Sequence, residues 1–480
     1  MSEAQTRRPN IVLILTDDHA SHAISAYGSV VNTTPRIDEI ASLGRRLDNA
    51  FCANALCAPS RASILTGTHS HINGVTTLVT PIDAAQPTFV SQLKEAGYRT
   101  AVIGKWHMGE GEGHNPEAFD HWAVLRDQGE YFNPQILTSS GVEIVDGYVT
   151  DLLTDMSMDW VDSLEGDDPW CLLIHHKAPH RSWVPDEKHD GMYSDPIAVP
   201  ATFTDDYATR SIAATRATMR VADDLDIIDL KVDPPAHLEG DALALWKYQR
   251  YMEDYLACVA SVDDNVGRVI DWLRARGDFD DTLLMYTSDQ GFFLGDHGWF
   301  DKRFMYDEAI RMPLVISYPA RIPAAGPLTQ LVSNVDFAQT ILDAAGVQAH
   351  PRMQGRSFWP QFTDAPQAPT QDAVYYRYWE NDDINHNVLA HYGVRTDTHK
   401  LIYFYNDGLG LPGTQDAVYP PEWEMYDLVA DPEEIRNVAN DPAYADVRKQ
   451  LEVRLWKLQQ EFGDMAHPSQ PVPEGISAPV

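Results

Sequence analysis

Short, almost wholly apolar runs alternate with longer stretches of helical periodicity along most of this chain. The runs lie at 11–16, 100–103, 171–175, 282–287 and 314–317. They lack the polar alternation of a strand with one wet face, so they read as parallel strands buried on both faces. Between them, residues 35–43 space Ile37, Ile40 and Leu43 for one helix face, and 89–96 runs into the helix stop Gly97. Residues 148–161 group Leu152, Leu153, Met156 and Trp160 on one face, and a long helical stretch at 242–276 ends at Gly277. The alternation predicts an α/β fold, a mostly parallel sheet sandwiched by helices. A Pro-rich stretch at 359–370 then precedes strand-like runs at 374–378, 393–396 and 400–405 and an amphipathic helix near 444–462. These predict a smaller C-terminal α+β domain with an antiparallel sheet, giving expected domains at 1–365 and 366–480. The Asp- and Ala-rich segment 200–235 reads as an insertion with helical parts.

Charge and cysteine usage narrow the function. A net charge of −35 argues against nucleic acid as a partner and disfavours an anionic membrane. It leaves an anionic substrate open, because a few basic residues in a cleft outweigh distant, screened charge. The apolar run in MSEAQTRRPNIVLILTDD is too short for a signal-peptide core, and no run approaches the roughly 20 apolar residues of a membrane helix. The expectation is a cytoplasmic chain without a membrane partner. Cys52, Cys57, Cys171 and Cys258 show neither a disulfide framework nor a zinc pattern. Cys57, set in LCAPSRASILTG, is left as a thiol nucleophile, a modified residue or a small core residue.

Open α/β sheets bind ligands beyond the carboxyl ends of their strands. The run at 11–16 ends in Asp17-Asp18-His19, and that at 282–287 in Ser288-Asp289-Gln290-Gly291. The run at 100–103 leads to Gly104-Lys105-Trp106-His107, and that at 171–175 to Lys177-Ala178-Pro179-His180. Each taken alone is an ordinary turn or cap. Together they predict a hard, oxygen-rich site suited to calcium or magnesium, with lysines and histidines beside it to hold an anion and move protons.

Cys57-Ala58-Pro59-Ser60-Arg61 followed by Leu65-Thr66-Gly67 resembles the signature of the formylglycine-dependent type I sulfatases. Further blocks similar to that family occur in order at 10–18, 104–107, 177–180 and 287–306. The resemblance implies an alkaline-phosphatase-like fold and a maturation enzyme that oxidises Cys57 to formylglycine. Such an aldehyde, hydrated, offers one hydroxyl to take the sulfate and a second to expel it, which serine lacks. By the same resemblance, Asp17, Asp18, Asp289 and Gln290, with modified Cys57, match the family's calcium ligands. Arg61 and Lys105 match residues that orient the formylglycine, and His107 matches the base of the elimination. His180 and Lys302 match sulfate-binding groups, His180 being the expected proton donor to the leaving oxygen.

Within the family, ALCAPSRASILTGTHSHINGV, LLIHHKAPHRSW and SDQGFFLGDHGWFDKRFMYDEAIRMPLVI look similar to bacterial N-acetylglucosamine-6-sulfatases. This implies a short sulfated saccharide, of glycosaminoglycan or related type, as substrate. Trp122, Gln128 and Tyr131, or Trp379, His386 and His391, are candidates to line its pocket. An arylsulfatase or other carbohydrate sulfatase, a phosphonate monoester or phosphodiester hydrolase, and a non-catalytic sugar-binding relative are the competing readings.

Overall fold

The computed structural model describes residues 8–362 and 370–476; the boundary expected at 365/366 lies outside them. Among the described residues, a nine-stranded mixed sheet is built around Asn10–Thr16. Trp170–His175 and Thr282–Ser288 flank that strand in parallel, and Arg99–Lys105 and His121–Leu125 continue the parallel run. Both edges are antiparallel: Gln135–Thr138 with Gly141–Ile144 at one, Leu314–Ser317 with Arg45–Arg46 at the other. The expectation of a parallel strand at 314–317 is therefore corrected. Its apolar run reflects burial on both faces, which the sheet imposes on an antiparallel neighbour of Thr282–Ser288 as readily as on a parallel one.

Alternate residues of the central strand feed two cores. Ile11, Leu13 and Leu15 join a cluster on one face with Leu65 and Ile341, which come from the helices Cys57–Thr66 and Phe337–Ala344. Val12 and Ile14 join the cluster on the other face, formed by Val149–Asp162 and the long helix Gly240–Arg276. The period-2 geometry of a strand produces this split. Among the described residues no helix is long and apolar enough to cross a membrane.

An antiparallel four-stranded sheet, Ala373–Tyr378, His391–Thr396, His399–Phe404 and Glu422–Asp427, follows. One of its faces, with Tyr375, Tyr392 and Leu401, packs on the helix Ala445–Phe462 through Leu451 and Leu455. The other face sends Tyr376, Ile402 and Tyr426 into the first core cluster of the large sheet. This double packing holds the loop between the first two of these strands over the carboxyl edge of the large sheet. The 200–235 segment contains three short helices, Ile212–Arg216, Val221–Asp224 and Ile227–Leu230. It is tied to the small sheet by Ser211 N–H donating to Glu424 (2.7 Å).

Register decides which strand ends meet. Thr16 lies opposite Ser288, Leu15 opposite both His175 and Thr287, and Gly104 opposite His175. With strands about 4.8 Å apart, the residues that follow these positions emerge side by side. Gly104 allows the closest approach: its φ is +115°, and a Cβ there would lie 2.0 Å from the His175 carbonyl oxygen. Gly104→Ala is therefore expected to cost about 3 kcal/mol or more. A lower urea midpoint with an unchanged denaturant slope is the measurement that checks it.

Candidate active site

Asp17 and Asp18 follow one central strand, and Asp289 and Gln290 follow its neighbour. Their registered ends bring the three carboxylates together, with oxygens within 4.8 Å of one another. All four side chains are fully buried. Asp18 turns through a left-handed backbone (φ 66°), and its N–H donates to Asp289 Oδ1 at 3.3 Å. Gln290 Nε2 donates to Asp18 Oδ1 at 2.5 Å, while Gln290 Oε1 is buried without a hydrogen-bond donor. Burial and the neighbouring aspartates push the Asp18 carboxyl up to about 7, although Lys302 opposes them. Burial and Asp17 likewise raise Asp289, to about 6. Burial also pushes Asp17 upward, but Lys105, His180, Arg61 and Lys302 together outweigh it and hold Asp17 well below the usual carboxylate range.

Cys57 opens the wholly buried helix Cys57–Thr66, and its Sγ lies 3.3 Å from Asp17 Oδ1. Pro59 is tolerated because the first turn of a helix has no N–H partners to lose. One turn on, Arg61 reaches back to three strand ends. Its Nε donates to Asp289 Oδ2 (2.9 Å) and its Nη1 to the Lys105 carbonyl (2.7 Å), while Nη2 stands 3.5 Å from Asp17 Oδ2. Lys105 is paired with Asp17 Oδ2. Lys302 grips both oxygens of Asp18, at 2.6 and 2.8 Å. Three buried cations thus balance three buried carboxylates.

The histidines stand on either side. His180 Nδ1 donates to the Arg181 carbonyl at 2.6 Å, which leaves Nε2 facing Asp18 Oδ2 at 3.8 Å. Burial and Lys105 hold the His180 pKa well below its ordinary value, so the ring is neutral. His107 is held low by the same two causes. Its Nε2 lies 3.0 Å from Gln128 Nε2, and Gln128 Oε1 accepts from Lys105 Nζ at 2.5 Å. Lys105 thereby fixes the orientation of the Gln128 amide, so His107 Nε2 accepts and Nδ1 carries the proton. The Gln128 carbonyl also accepts from Lys177 Nζ at 3.3 Å. This bridge between Lys105 and His107 carries no motif; only the tertiary approach of the 126–129 turn reveals it.

A cavity of about 340 Å³ opens over these groups. Cys57, Gln128, His180 and Lys302 line its floor. Arg303, Glu380, Asp383 and His386 line its mouth, the last three from the small-sheet loop. Arg303 bonds Asp301 at 3.2 Å and stands 3.7 Å from Glu380 and 3.6 Å from Asp383. Asp301 and Arg303 both have left-handed backbones (φ 76° and 84°), which turn successive side chains toward the opening. Of the pocket candidates, Gln128 and His386 line the cavity. The others do not: Trp122 packs against the first core cluster, Tyr131 is buried with its hydroxyl on the His180 carbonyl, Trp379 lies beneath Arg377, and His391 is fully buried in the small sheet. Aromatic type alone did not separate core packing from a sugar platform. Asp301, Arg303, Glu380 and Asp383 escaped sequence reasoning because a charged residue in a loop looks solvated until a second layer covers it.

Cations grouped around an acidic cluster at the carboxyl edge of a sheet, beneath an open cavity, define a hydrolase of anionic esters. The chain belongs to the sulfatase family and is a sulfuric ester hydrolase: residues 9–347 match the family described as Sulfatase. Residues 295–461 match the one described as N-sulphoglucosamine sulphohydrolase, C-terminal. An N-acetylglucosamine-6-O-sulfatase of Bacteroides thetaiotaomicron is 40% identical over 96% of this chain and 88% of its own length. The human N-acetylglucosamine-6-sulfatase is 26% identical over 96% of this chain and 86% of its own length. A solved structure of a relative in complex with its substrate D-glucosamine-2-N,6-O-disulfate superposes with a TM-score of 0.89 at 40% identity, covering 95% of this chain and 98% of the other. The phosphonate monoester hydrolase of Agrobacterium radiobacter shares the fold (TM-score 0.71, 20% identity, 95% and 96% covered).

The residues present fit the calcium ion and the modified cysteine that the family implies. Burial has raised Asp18 and Asp289, a cost that a divalent cation among three carboxylates removes. The unpartnered Gln290 Oε1 is a fourth hard oxygen donor beside them, and no zinc-like thiolate pair is present among the described residues. Cys57 is a poor site for a thiolate, because burial and Asp17 push its pKa up.

The segment that carries Lys302 is anchored by His297, whose ring is fully buried between Asp205 (3.0 Å) and Glu308 (3.8 Å), with Arg210 at 3.2 Å. Burial and Arg210 oppose its charge, but Asp205 and Glu308 outweigh them and push its pKa up to about 9 from 6.5. The stability this contributes, on the order of 3 kcal/mol, is complete below pH 6.5 and is lost as pH rises through about 9. His297→Gln should be less stable at pH 6 and should flatten that part of the profile. Urea midpoints of both proteins across this range provide the check.

Proposed function

We propose that this protein hydrolyses the 6-O-sulfate of N-acetylglucosamine or a related amino-sugar saccharide, through formylglycine made from Cys57 and a bound calcium ion. The observation that carries this reading is the meeting of Cys57, His180 and Lys302 at the floor of one cavity with three carboxylates and Lys105 buried against them. The names of the relatives, which include N-acetylglucosamine-6-O-sulfatase, support the choice of ester.

Calcium would be held by Asp17, Asp18, Asp289 and Gln290 and would supply positive charge against the sulfuryl oxygens, and hydrated formylglycine at position 57 would supply the hydroxyls that take and release the sulfate. The chain's own residues do the rest. Arg61, locked by Asp289 and the Lys105 carbonyl, holds the strand ends in place and keeps Cys57 beside Asp17. Lys105 and Lys302 present two ammonium groups toward an incoming anionic ester, worth more in a buried site than in water. His180 is neutral in the free protein, and its Nδ1–H bond to the Arg181 carbonyl keeps Nε2 as the atom that takes up a proton. An anionic ester beside Lys105 and Lys302 offsets the charge that holds His180 neutral, so a proton at Nε2 becomes available to the leaving oxygen. His107, neutral in the free protein and matched by the resemblance to the base of the elimination, would receive the proton that accompanies sulfate release. At the cavity mouth, Arg303, Asp383 and His386 offer donors and acceptors suited to ring hydroxyls.

A primary 6-O-sulfate projects from its ring, so it reaches a narrow cationic floor while the ring stays among these mouth residues. Cys57→Ala should fold normally and lose turnover entirely, and mass spectrometry of the active wild-type Cys57 peptide should show formylglycine. An unmodified thiol in active enzyme would overturn the mechanism. Chelation should abolish activity and calcium should restore it; activity that follows zinc would displace calcium. His180→Ala should lose roughly 10³-fold on glucosamine 6-sulfate but under roughly tenfold on an activated aryl sulfate, whose phenolate leaves without a proton. Equal losses on the two esters would remove His180 from that role. Preference for an aryl phosphonate over any sulfate ester would replace the ester assignment.

A further inference from the structure

A second cavity, of about 280 Å³, adjoins the one over Cys57 and shares Leu78 and Val79 with it. The His107–Gln128 contact at 3.0 Å stands between them, with His107 lining the second cavity and Gln128 the first. Its volume is near the lower end of small-molecule sites, about 300–1,000 Å³, which suits one ring and not a longer chain.

Its chemistry differs from that of the first cavity. Leu78, Val79, Pro81 and Leu137, with the edge of Trp106, make apolar surface. Asn115, Glu110 and Asp127 are placed around it as hydrogen-bonding groups. Among the described residues its lining holds no lysine or arginine. Arg126 pairs with Glu110 at 3.2 Å and is spent on that carboxylate. Asp127 is 86% exposed, and the basic side chain it approaches is His107, at 3.8 Å. His107 is neutral because burial and Lys105 hold its pKa down. The Asp127 carboxylate is therefore uncompensated.

Building on the substrate reading above, we propose that this second cavity receives the sugar joined to the sulfated glucosamine, and that it selects an uncharged hexose over a hexuronate. The apolar wall suits the C–H face of a pyranose ring, and Asn115 and the two carboxylates suit its hydroxyls. A hexuronate would bring a carboxylate against Asp127 with no lysine or arginine in the lining to receive it. Discrimination of this kind comes from the repulsive element as much as from attraction.

The test uses the matured enzyme and three substrates that share one 6-O-sulfated N-acetylglucosamine: the monosaccharide, the same residue linked to a neutral hexose, and the same residue linked to a hexuronate. The hexose-linked substrate should exceed the monosaccharide in kcat/KM and exceed the hexuronate-linked one by about tenfold, or about 1.4 kcal/mol. Asp127→Asn, an exposed change that suits the left-handed backbone there (φ 49°), should raise the hexuronate rate selectively and narrow the gap. Leu137→Trp, which fills the cavity, should bring the hexose-linked rate down toward that of the monosaccharide. Monosaccharide turnover with no hexose preference, or an Asp127→Asn effect equal on both disaccharides, overturns this inference alone. No turnover of any glucosamine 6-sulfate overturns the substrate reading and this inference with it.

Discussion

Three carboxylates buried at the ends of two neighbouring strands govern the rest of this molecule. Asp17, Asp18 and Asp289 are fully buried with oxygens within 4.8 Å of one another. Charge so concentrated in a low-dielectric interior is sustainable only with matched countercharge. Arg61, Lys105 and Lys302 supply it, and each comes from a different part of the chain: a buried helix, a strand two places away in the sheet and a loop. The helix Cys57–Thr66 must therefore sit tightly under the carboxyl edge, and its first residue is carried to the acidic cluster by the same geometry that delivers Arg61.

The small sheet has a second use besides closing the core. Its inner face extends the first hydrophobic cluster through Tyr376 and Tyr426, so its position relative to the large sheet is set by packing. Glu380, Asp383 and His386 ride on the loop that this packing holds. They meet Arg303, which follows Lys302 by one residue. The floor, proposed to take the charged ester, and the mouth, proposed to meet the remainder of the substrate, thus draw on different layers and can vary separately. A family that shares one floor chemistry can differ in its mouths for this reason.

Charge compensation also explains the ionisation of the site in the free protein. The lysines lie on the carboxylates, and both histidines beside them are neutral. On the proposed reading, an anionic ester would reverse the balance locally, drawing the lysines' field onto itself and permitting a proton on His180. That reading would couple substrate entry to the readiness of the proton donor through one set of charges.

Much of this was legible in the sequence because the signals are local. The apolar runs followed by Asp17-Asp18, Lys105 and Asp289-Gln290 announce both the strands and the polar groups at their ends, and the Cys57 to Arg61 spacing needs only one helical turn to bring both residues to the same edge. Helix positions such as 35–43 and 89–96 follow from periodicity and stop residues in the same way. The direction of Leu314–Ser317 was not legible, since a strand buried on both faces looks alike whichever way it runs. Nor was the Lys105–Gln128–His107 bridge, nor the fate of Trp379 and His391 as packing residues while the unremarkable acids Glu380 and Asp383 reach the cavity. By itself the sequence determined the family and which polar groups follow each of the central strands, because each rests on residues a few positions apart. Only the tertiary structure decided which side chains form the mouth and which charges compensate which, because those depend on contacts between segments that lie far apart along the chain.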